Sequence, residues 1–236
     1  MTLPMRIFLT CPCCTAKFES LSVMISSTYG SWTDLRPIPS GADPMYMVIH
    51  TCQSCGYTGY DDAFKRKRLD KALKEHVREQ ITPLIKDFSL TLKQKLLYEF
   101  PAPERQYEFA AWIAQWRGDS LQSIGELYLR AAWCCKDSKN PRNERFCRLK
   151  ALEYFERAME LNEFSANEIS SCTYLIGELH RRVGEIGAAN EWFDKVAETT
   201  KGDSKQQWLV ELASQQKTSP KEFIGRDWSF RFNPIF

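Results

Sequence analysis

The sequence predicts a mainly α-helical fold, with a small β module at the N-terminus and antiparallel helical hairpins behind it. Three observations carry this expectation. Two short cysteine pairs, Cys11–Cys14 and Cys52–Cys55, stand near the start. From Glu104 onward, apolar residues recur at helical spacing between short polar turns. Within that run, small residues of one helix are spaced to meet an aromatic residue of the next. At 236 residues the chain can bury a sizeable core, as one large domain or as a small and a medium one. Hydrophobic residues are 43% of it, charged residues 26%, and the formal net charge is +2. No global field therefore marks a nucleic-acid or membrane binder, and any such contact has to be local. The stretch Met1 to Thr10 is too short for a secretory signal, and no run is long enough to span a bilayer. A cytoplasmic protein without a membrane partner is expected, in a compartment that keeps thiols reduced.

The cysteine pairs read Cys11-Pro12-Cys13-Cys14 and Cys52-Gln53-Ser54-Cys55-Gly56-Tyr57. Two residues between thiolates let one tight turn aim both sulfurs at a single cation, and two such turns complete a tetrahedral shell that suits structural Zn²⁺. Cys11, Cys14, Cys52 and Cys55 are the expected ligands of a zinc-ribbon-like module. Cys13 lies inside its pair and either points away or competes for its neighbour's corner. His50 is the other donor in reach along the chain, as a substitute ligand or as a hydrogen-bonded side chain. Disulfide formation and a thiol–disulfide redox role are the competing readings of the same spacing.

Residues 15–51, between the pairs, form a longer insertion than the roughly 15–20 residues of the commonest ribbon. The segments Leu21 to Ile25 and Met45 to Ile49 read as strands, joined by turn-rich Tyr29-Gly30-Ser31 and Arg36-Pro37-Ile38-Pro39-Ser40-Gly41. After the second pair, Asp61 or Asp62 caps a helix that carries Leu69, Ala72, Leu73, His76 and Val77 and ends before Pro83. Its basic run Lys65-Arg66-Lys67-Arg68 is the local candidate for nucleic-acid contact, although such a run is more often a solvated face. A further helix is expected over Thr91 to Phe100.

The body divides into helices over Glu104–Arg117, Leu121–Lys136, Glu144–Leu161, Asn167–Val183, Gly187–Thr200 and Asp203–Gln216. Ile176-Gly177, Gly184, Ala189 and Phe193 match the tetratricopeptide pattern. A degenerate, lengthened copy combines Ile124-Gly125 and Tyr128 with Ala151, Phe155 and Ala158, across the breaker Ser138-Lys139-Asn140-Pro141. An ordinary helical bundle is the alternative. Cys134, Cys135, Cys147 and Cys172 fall in helical patterns as small buried hydrophobes. The expected organisation is thus residues 1–60 as the cysteine module, 61–103 as connecting helices, 104–217 as TPR-like hairpins, and 218–236 as an aromatic tail. That tail, Arg226 to Phe236, alternates aromatic and polar residues and should pack back on the protein or dock on a partner.

Four motifs together resemble the bacterial family of unknown function numbered 2225 (DUF2225). They are Cys11-Pro12-Cys13-Cys14 with Lys17-Phe18; Cys52-Gln53-Ser54-Cys55-Gly56-Tyr57; Tyr128-Leu129-Arg130-Ala131-Ala132-Trp133; and Tyr174-Leu175-Ile176-Gly177-Glu178-Leu179-His180-Arg181-Arg182-Val183-Gly184. The resemblance spans most of the chain and implies a zinc-ribbon-like head on a tetratricopeptide-like body. It supplies no reaction, because the family has no settled activity.

No catalytic constellation is legible. A zinc closed by four thiolates has no open position for water. His50, His76 and His180 are the three histidines, and neither a Walker-type phosphate loop nor a nucleophile-elbow serine occurs. What the repeats offer is a concave surface. On their register, Gln122, Glu126 and Arg130 from one hairpin, and Tyr174, Glu178, Arg181 and Arg182 from the next, face it. Guanidinium forks bind carboxylates in pairs, so the expected ligand is a protein or peptide with acidic side chains or a free C-terminus. The plain alternative is that Arg182 pairs with Glu178 one turn away. The leading expectation is therefore a non-catalytic zinc-binding adaptor; nucleic-acid binding through the ribbon and Lys65–Arg68 is second, and thiol–disulfide chemistry third.

Overall fold

The computed structural model describes residues 2–66, 68–86, 101–201 and 203–224. The helix expected over 91–100 and the aromatic tail from 225 onward lie outside them.

Strands β1 (Leu3–Thr10) and β2 (Lys17–Ile25) form an antiparallel ribbon with the first cysteine pair in its turn. Strand β3 (Thr28–Trp32) pairs antiparallel with β4 (Pro37–Pro39), whose prolines suit an edge strand. Its other edge takes β7 (Phe223–Ile224), so residues from the far end of the chain close this small sheet. Strands β5 (His50–Thr51) and β6 (Thr58–Gly59) flank the second cysteine pair. The strand expected over Met45 to Ile49 is instead a 3₁₀ turn at Pro44–Tyr46 leading toward β5. The local reason is a cap: the Met45 amide donates to Asp43 Oδ1 at 2.9 Å, and Pro44 sits at the start of the turn.

The single helix expected after Tyr60 is broken into α1 (Asp61–Phe64), α2 (Lys71–His76), a wide π turn (Val77–Ile81) and α3 (Thr82–Lys86). Asp70 starts α2 by accepting the Leu73 amide at 2.7 Å. Pro83 does not end the helix, because the π turn changes the hydrogen-bond ladder just before it and Pro83 falls in the opening turn of α3.

The body consists of α4 (Pro103–Arg117), α5 (Leu121–Asp137), α6 (Pro141–Glu160), α7 (Ile169–Val183), α8 (Ile186–Thr199) and α9 (Gln207–Thr218). The breaker between α5 and α6 is a turn with Lys139 at φ 55°, after which Asn140 caps α6 and Pro141 opens it. Both hairpins carry the small-to-aromatic contact expected from their spacing. A Cβ on Gly125 would meet the Phe155 ring at 2.8 Å, and one on Gly177 would meet Phe193 at 2.8 Å. Cys134, Cys135, Cys147 and Cys172 are buried.

Among the described residues two apolar cores result. One surrounds the cysteine pairs with Tyr57, Phe64, Leu73, Ile81 and Ile85, and it includes Phe109 and Ile113 of α4. The other fills the hairpins and takes Tyr107, Ala110, Ala111 and Ala114 from the remaining faces of α4. This helix is buried almost all round because it lies between them. Leu35, Met45 and Ile49 of the insertion, and Ile224 of β7, belong to the core of the helical body. The insertion and the chain's return are thus built into the hairpins rather than appended to them.

Candidate functional site

The two cysteine turns repeat one geometry. The Cys11 amide donates to Ala16 O at 2.9 Å and the Thr15 amide to Cys11 O at 2.9 Å. The matching bonds in the second turn run from Cys52 to Tyr57 O at 2.9 Å and from Gly56 to Cys52 O at 2.7 Å. Each turn closes through a left-handed residue, Thr15 at φ 64° and Gly56 at φ 84°. The glycine is needed for space as well, since a Cβ there would lie 2.5 Å from Ile81 Cγ2. Both turns aim amides at their first sulfur: Cys13 and Cys14 at Cys11, and Ser54 and Cys55 at Cys52. Such N–H groups stabilise thiolate charge.

The turns meet sulfur to sulfur. Cys11 Sγ lies 3.6 Å from Cys55 Sγ, and Cys14 Sγ lies 3.6 Å from Cys52 Sγ. All four sulfurs fall within 4.8 Å of one another and can hold a metal ion. A tetrahedral shell with a metal–sulfur distance near 2.3 Å has edges of about 3.8 Å, so the cluster is already close to the required size. Proton sharing points the same way. Contacts with Cys11 and Cys55 pull the Cys52 thiol far below its usual range, Cys52 pushes Cys11 up, and Cys11, Cys13 and Cys52 push Cys55 up. A cation among the sulfurs would replace these shared protons. Cys11, Cys52 and Cys55 are buried and Cys14 is exposed.

His50 faces away from this cluster. Its Nδ1 shares a 2.9 Å hydrogen bond with Ser20 Oγ, and its Nε2 lies 2.7 Å from Asp61 Oδ1, tying the ribbon to the start of α1. Burial lowers the His50 pKa. In the basic run, Lys65, Arg66 and Arg68 are exposed, and Lys67 lies outside the described residues.

The expected groove is largely filled by the chain itself. Tyr174 and Glu178 are wholly buried rather than open to a ligand. Tyr174 donates to Thr33 O at 3.0 Å, and Glu178 Oε1 accepts from Thr33 Oγ1 at 2.7 Å. Arg182 donates to Glu178 at 2.7 Å, the intrahelical pairing noted as the alternative, and Arg181, expected there to be solvated, donates to the same carboxylate at 2.8 Å. Asp34 enters beneath them. Its Oδ2 lies 3.2 Å from Arg148 Nη1 and 3.6 Å from Arg182 Nη1, and it accepts from Trp133 Nε1 at 3.1 Å. Burial raises the Asp34 pKa, but the two guanidiniums outweigh it and hold the carboxyl at about 2. The arginines therefore do grip carboxylates, and those carboxylates come from the insertion, from α7 and from Glu222 beside β7.

Gln122, Glu126 and Arg130 are placed differently. Arg130 is partly covered and lies beside Tyr60 and Tyr107. Gln122 donates to Glu126 Oε1 at 3.2 Å, and burial pushes the Glu126 carboxyl up to about 7. Glu126 lines a cleft of ≈350 Å³ between the cysteine-bearing head and the body, together with Tyr60, Arg66, Arg117, Ser120 and Ser123. Arg117 is engaged with Asp119. Among the described residues no carboxylate lies within ion-pair distance of Arg66.

The reading of the sequence missed Asp34 and Arg148. A signal for Arg148 exists: it shares the α6 face of Ala151, Leu152 and Phe155, and a cation on an apolar stripe requires a buried partner. Nothing local to Asp34 names it as that partner.

A family model described as an uncharacterized protein conserved in bacteria (DUF2225) matches residues 8–219. Comparison with curated proteins gives no match, and comparison with solved structures gives none. With the family model covering both cysteine turns and every helix of the body, the chain belongs to the DUF2225 family.

Proposed function

We propose that this chain is a non-catalytic, cytoplasmic adaptor in which a structural Zn²⁺ fixes the head and the TPR-like body binds a protein or peptide. The observation that carries the reading is the cleft at their seam. Its walls come from Thr58 to Arg66, directly after the second cysteine turn, and from Ala110 to Leu127 of the body. A metal that fixes the turn thereby fixes one wall of a binding surface. Four thiolates around zinc leave no open position for a substrate or water, which supports a structural role. Arg181 and Arg182 are engaged inside the molecule, so the guanidinium left for an acidic side chain or a C-terminal carboxylate is Arg66.

The test is capture from nuclease-treated lysate with the zinc-loaded chain, compared with Arg66→Ala and with Ser123→Arg, which fills the cleft. A specific partner retained by the wild type and lost by both variants is expected, at unchanged zinc content and melting temperature. Equal capture by all three proteins sinks the reading. Nucleic-acid binding is the second reading, favoured by the exposure of Lys65, Arg66 and Arg68. It requires retention on nucleic acid that weakens steeply with salt and whose salt slope falls when these charges are removed. A thiol–disulfide protein would instead show reactive thiols and little bound zinc.

A further inference from the structure

In both cysteine turns a threonine hydroxyl donates to the carbonyl of the second cysteine. Thr15 Oγ1 reaches Cys14 O at 2.6 Å from the next residue along the chain, and Thr82 Oγ1 reaches Cys55 O at 2.7 Å from 27 residues away. The first contact is local and exposed, whereas the second is tertiary and buried. Gly56 explains the difference, because it takes the place of Thr15 in the second turn. A Cβ there would lie 2.5 Å from Ile81 Cγ2 and 2.6 Å from Ile85 Cδ1, so that position has no room for a side chain of its own. The hydroxyl comes instead from the helical segment that fills the space.

The placement of Thr82 follows from the wide turn before it. Leu73, Val77, Ile81 and Ile85 are all buried in the head core, at a spacing of four. On a regular α-helix each such step overshoots a full turn by about 40°, so Ile85 would stand about 120° round from Leu73. The π turn at Val77–Ile81 takes up an extra residue and keeps the stripe on one face, with Arg78, Glu79 and Gln80 exposed. Thr82 follows it, buried, and its single hydroxyl proton has two acceptors: Cys55 O at 2.7 Å and Val77 O at 3.2 Å. The shorter bond is the one that leaves the helix for the cysteine turn.

Resting on the reading of the cluster as a metal centre, we propose that Thr82 is a positioning residue of that centre, its hydroxyl fixing the Cys55 backbone and so the direction of the Cys55 sulfur. That sulfur lies 3.6 Å from Cys11 Sγ, so a shift of the Cys55 backbone loosens the junction between the two turns. Thr82→Val keeps the branched shape and removes the donor; Thr82→Ser keeps the donor and removes a methyl. Zinc affinity, measured by competition with a chromophoric chelator, is expected to fall about 10–100-fold in Thr82→Val and to stay within about threefold of the wild type in Thr82→Ser. Zinc binding by Thr82→Val as tight as by the wild type overturns the role, and so does an equal loss in both variants, which would make packing responsible.

Amide hydrogen exchange on the unmutated chain gives a reading that does not depend on any variant folding. If the metal turn leans on Thr82, bound metal must in return steady the helix that carries it. Zinc is therefore expected to slow exchange over residues 77–85, and exchange there that zinc leaves unchanged overturns the proposal. A wild-type chain that takes up no zinc removes the metal centre together with this role, whereas equal affinity of the wild type and Thr82→Val removes the role alone.

Discussion

Asp34, Arg148 and Arg182 are charged groups taken almost wholly out of water, and each is tolerable because it faces opposite charge: Asp34 the two guanidiniums, Arg148 also Glu144, and Arg182 also Glu178. Asp34→Asn keeps the shape but removes one carboxylate from each guanidinium, leaving Arg148 with Glu144 and Arg182 with Glu178 and Glu222. It should lower stability by about 1.5–3 kcal/mol, read from urea unfolding at neutral pH. The native Asp34 pKa of about 2 lies below the ordinary 3.8, so its contribution is intact above 3.8 and is lost as pH falls toward 2. The variant should therefore show a flatter stability profile across that acid window. Glu126 has the opposite sign. Its carboxyl is raised from 4.5 to about 7, so the folded chain holds a proton there that the unfolded chain releases. Its support for the fold is complete below 4.5 and fades as pH rises through 7. Glu126→Gln should remove that slope and be more stable than the wild type at pH 8; equal slopes in the two proteins would exclude the assignment.

Among the elements, the helical hairpins depend on close approach at single residues. Gly125 and Gly177 admit the rings of Phe155 and Phe193, and an added methyl at either would lie 2.8 Å from an aromatic carbon. Alanine at each position suits a helix better than glycine, by about 1 kcal/mol in an exposed setting. Overpacking should dominate here and give a net loss of about 1–2 kcal/mol per site. Thermal unfolding of Gly177→Ala, with and without Phe193→Leu to make room, separates the two effects: the second change should recover stability only in the alanine background. The cysteine turns follow a stricter rule. Gly56 needs both a left-handed backbone and empty space beside Ile81 and Ile85, so Gly56→Ala should damage metal retention as well as stability.

On the scale of the whole molecule, the cysteine cluster and the hairpins are joined through α4, which gives Phe109 and Ile113 to the head core and Tyr107, Ala110, Ala111 and Ala114 to the body. Trp112 and Trp116 of the same helix pack partly against the head core. Removing the metal with a chelator should therefore shift tryptophan emission and lower the melting temperature, while far-ultraviolet circular dichroism keeps most of its helical signal. An unchanged emission spectrum would mean that the head and α4 are not coupled. No helix among the described residues is long and apolar enough to cross a membrane.

The repeated Cys-x-x-Cys spacing specified its own turn, and the 3.6-residue periodicity marked the helices, because both are short-range regularities carried by neighbouring residues. Gly177 with Phe193 was legible for the same reason: paired helices bring fixed sequence offsets together. The fate of the groove was not. Thr33 and Asp34 reach Tyr174, Glu178, Arg148 and Arg182 across 114 to 149 residues of sequence, and Lys221 to Ile224 return to complete the same contacts. Arg181 and Arg182 look equally suited to a foreign carboxylate and to one of their own. Which they bind is decided by where the insertion enters the fold, and that follows from burying Leu35 and Ile224 in the helical core, not from any local pattern.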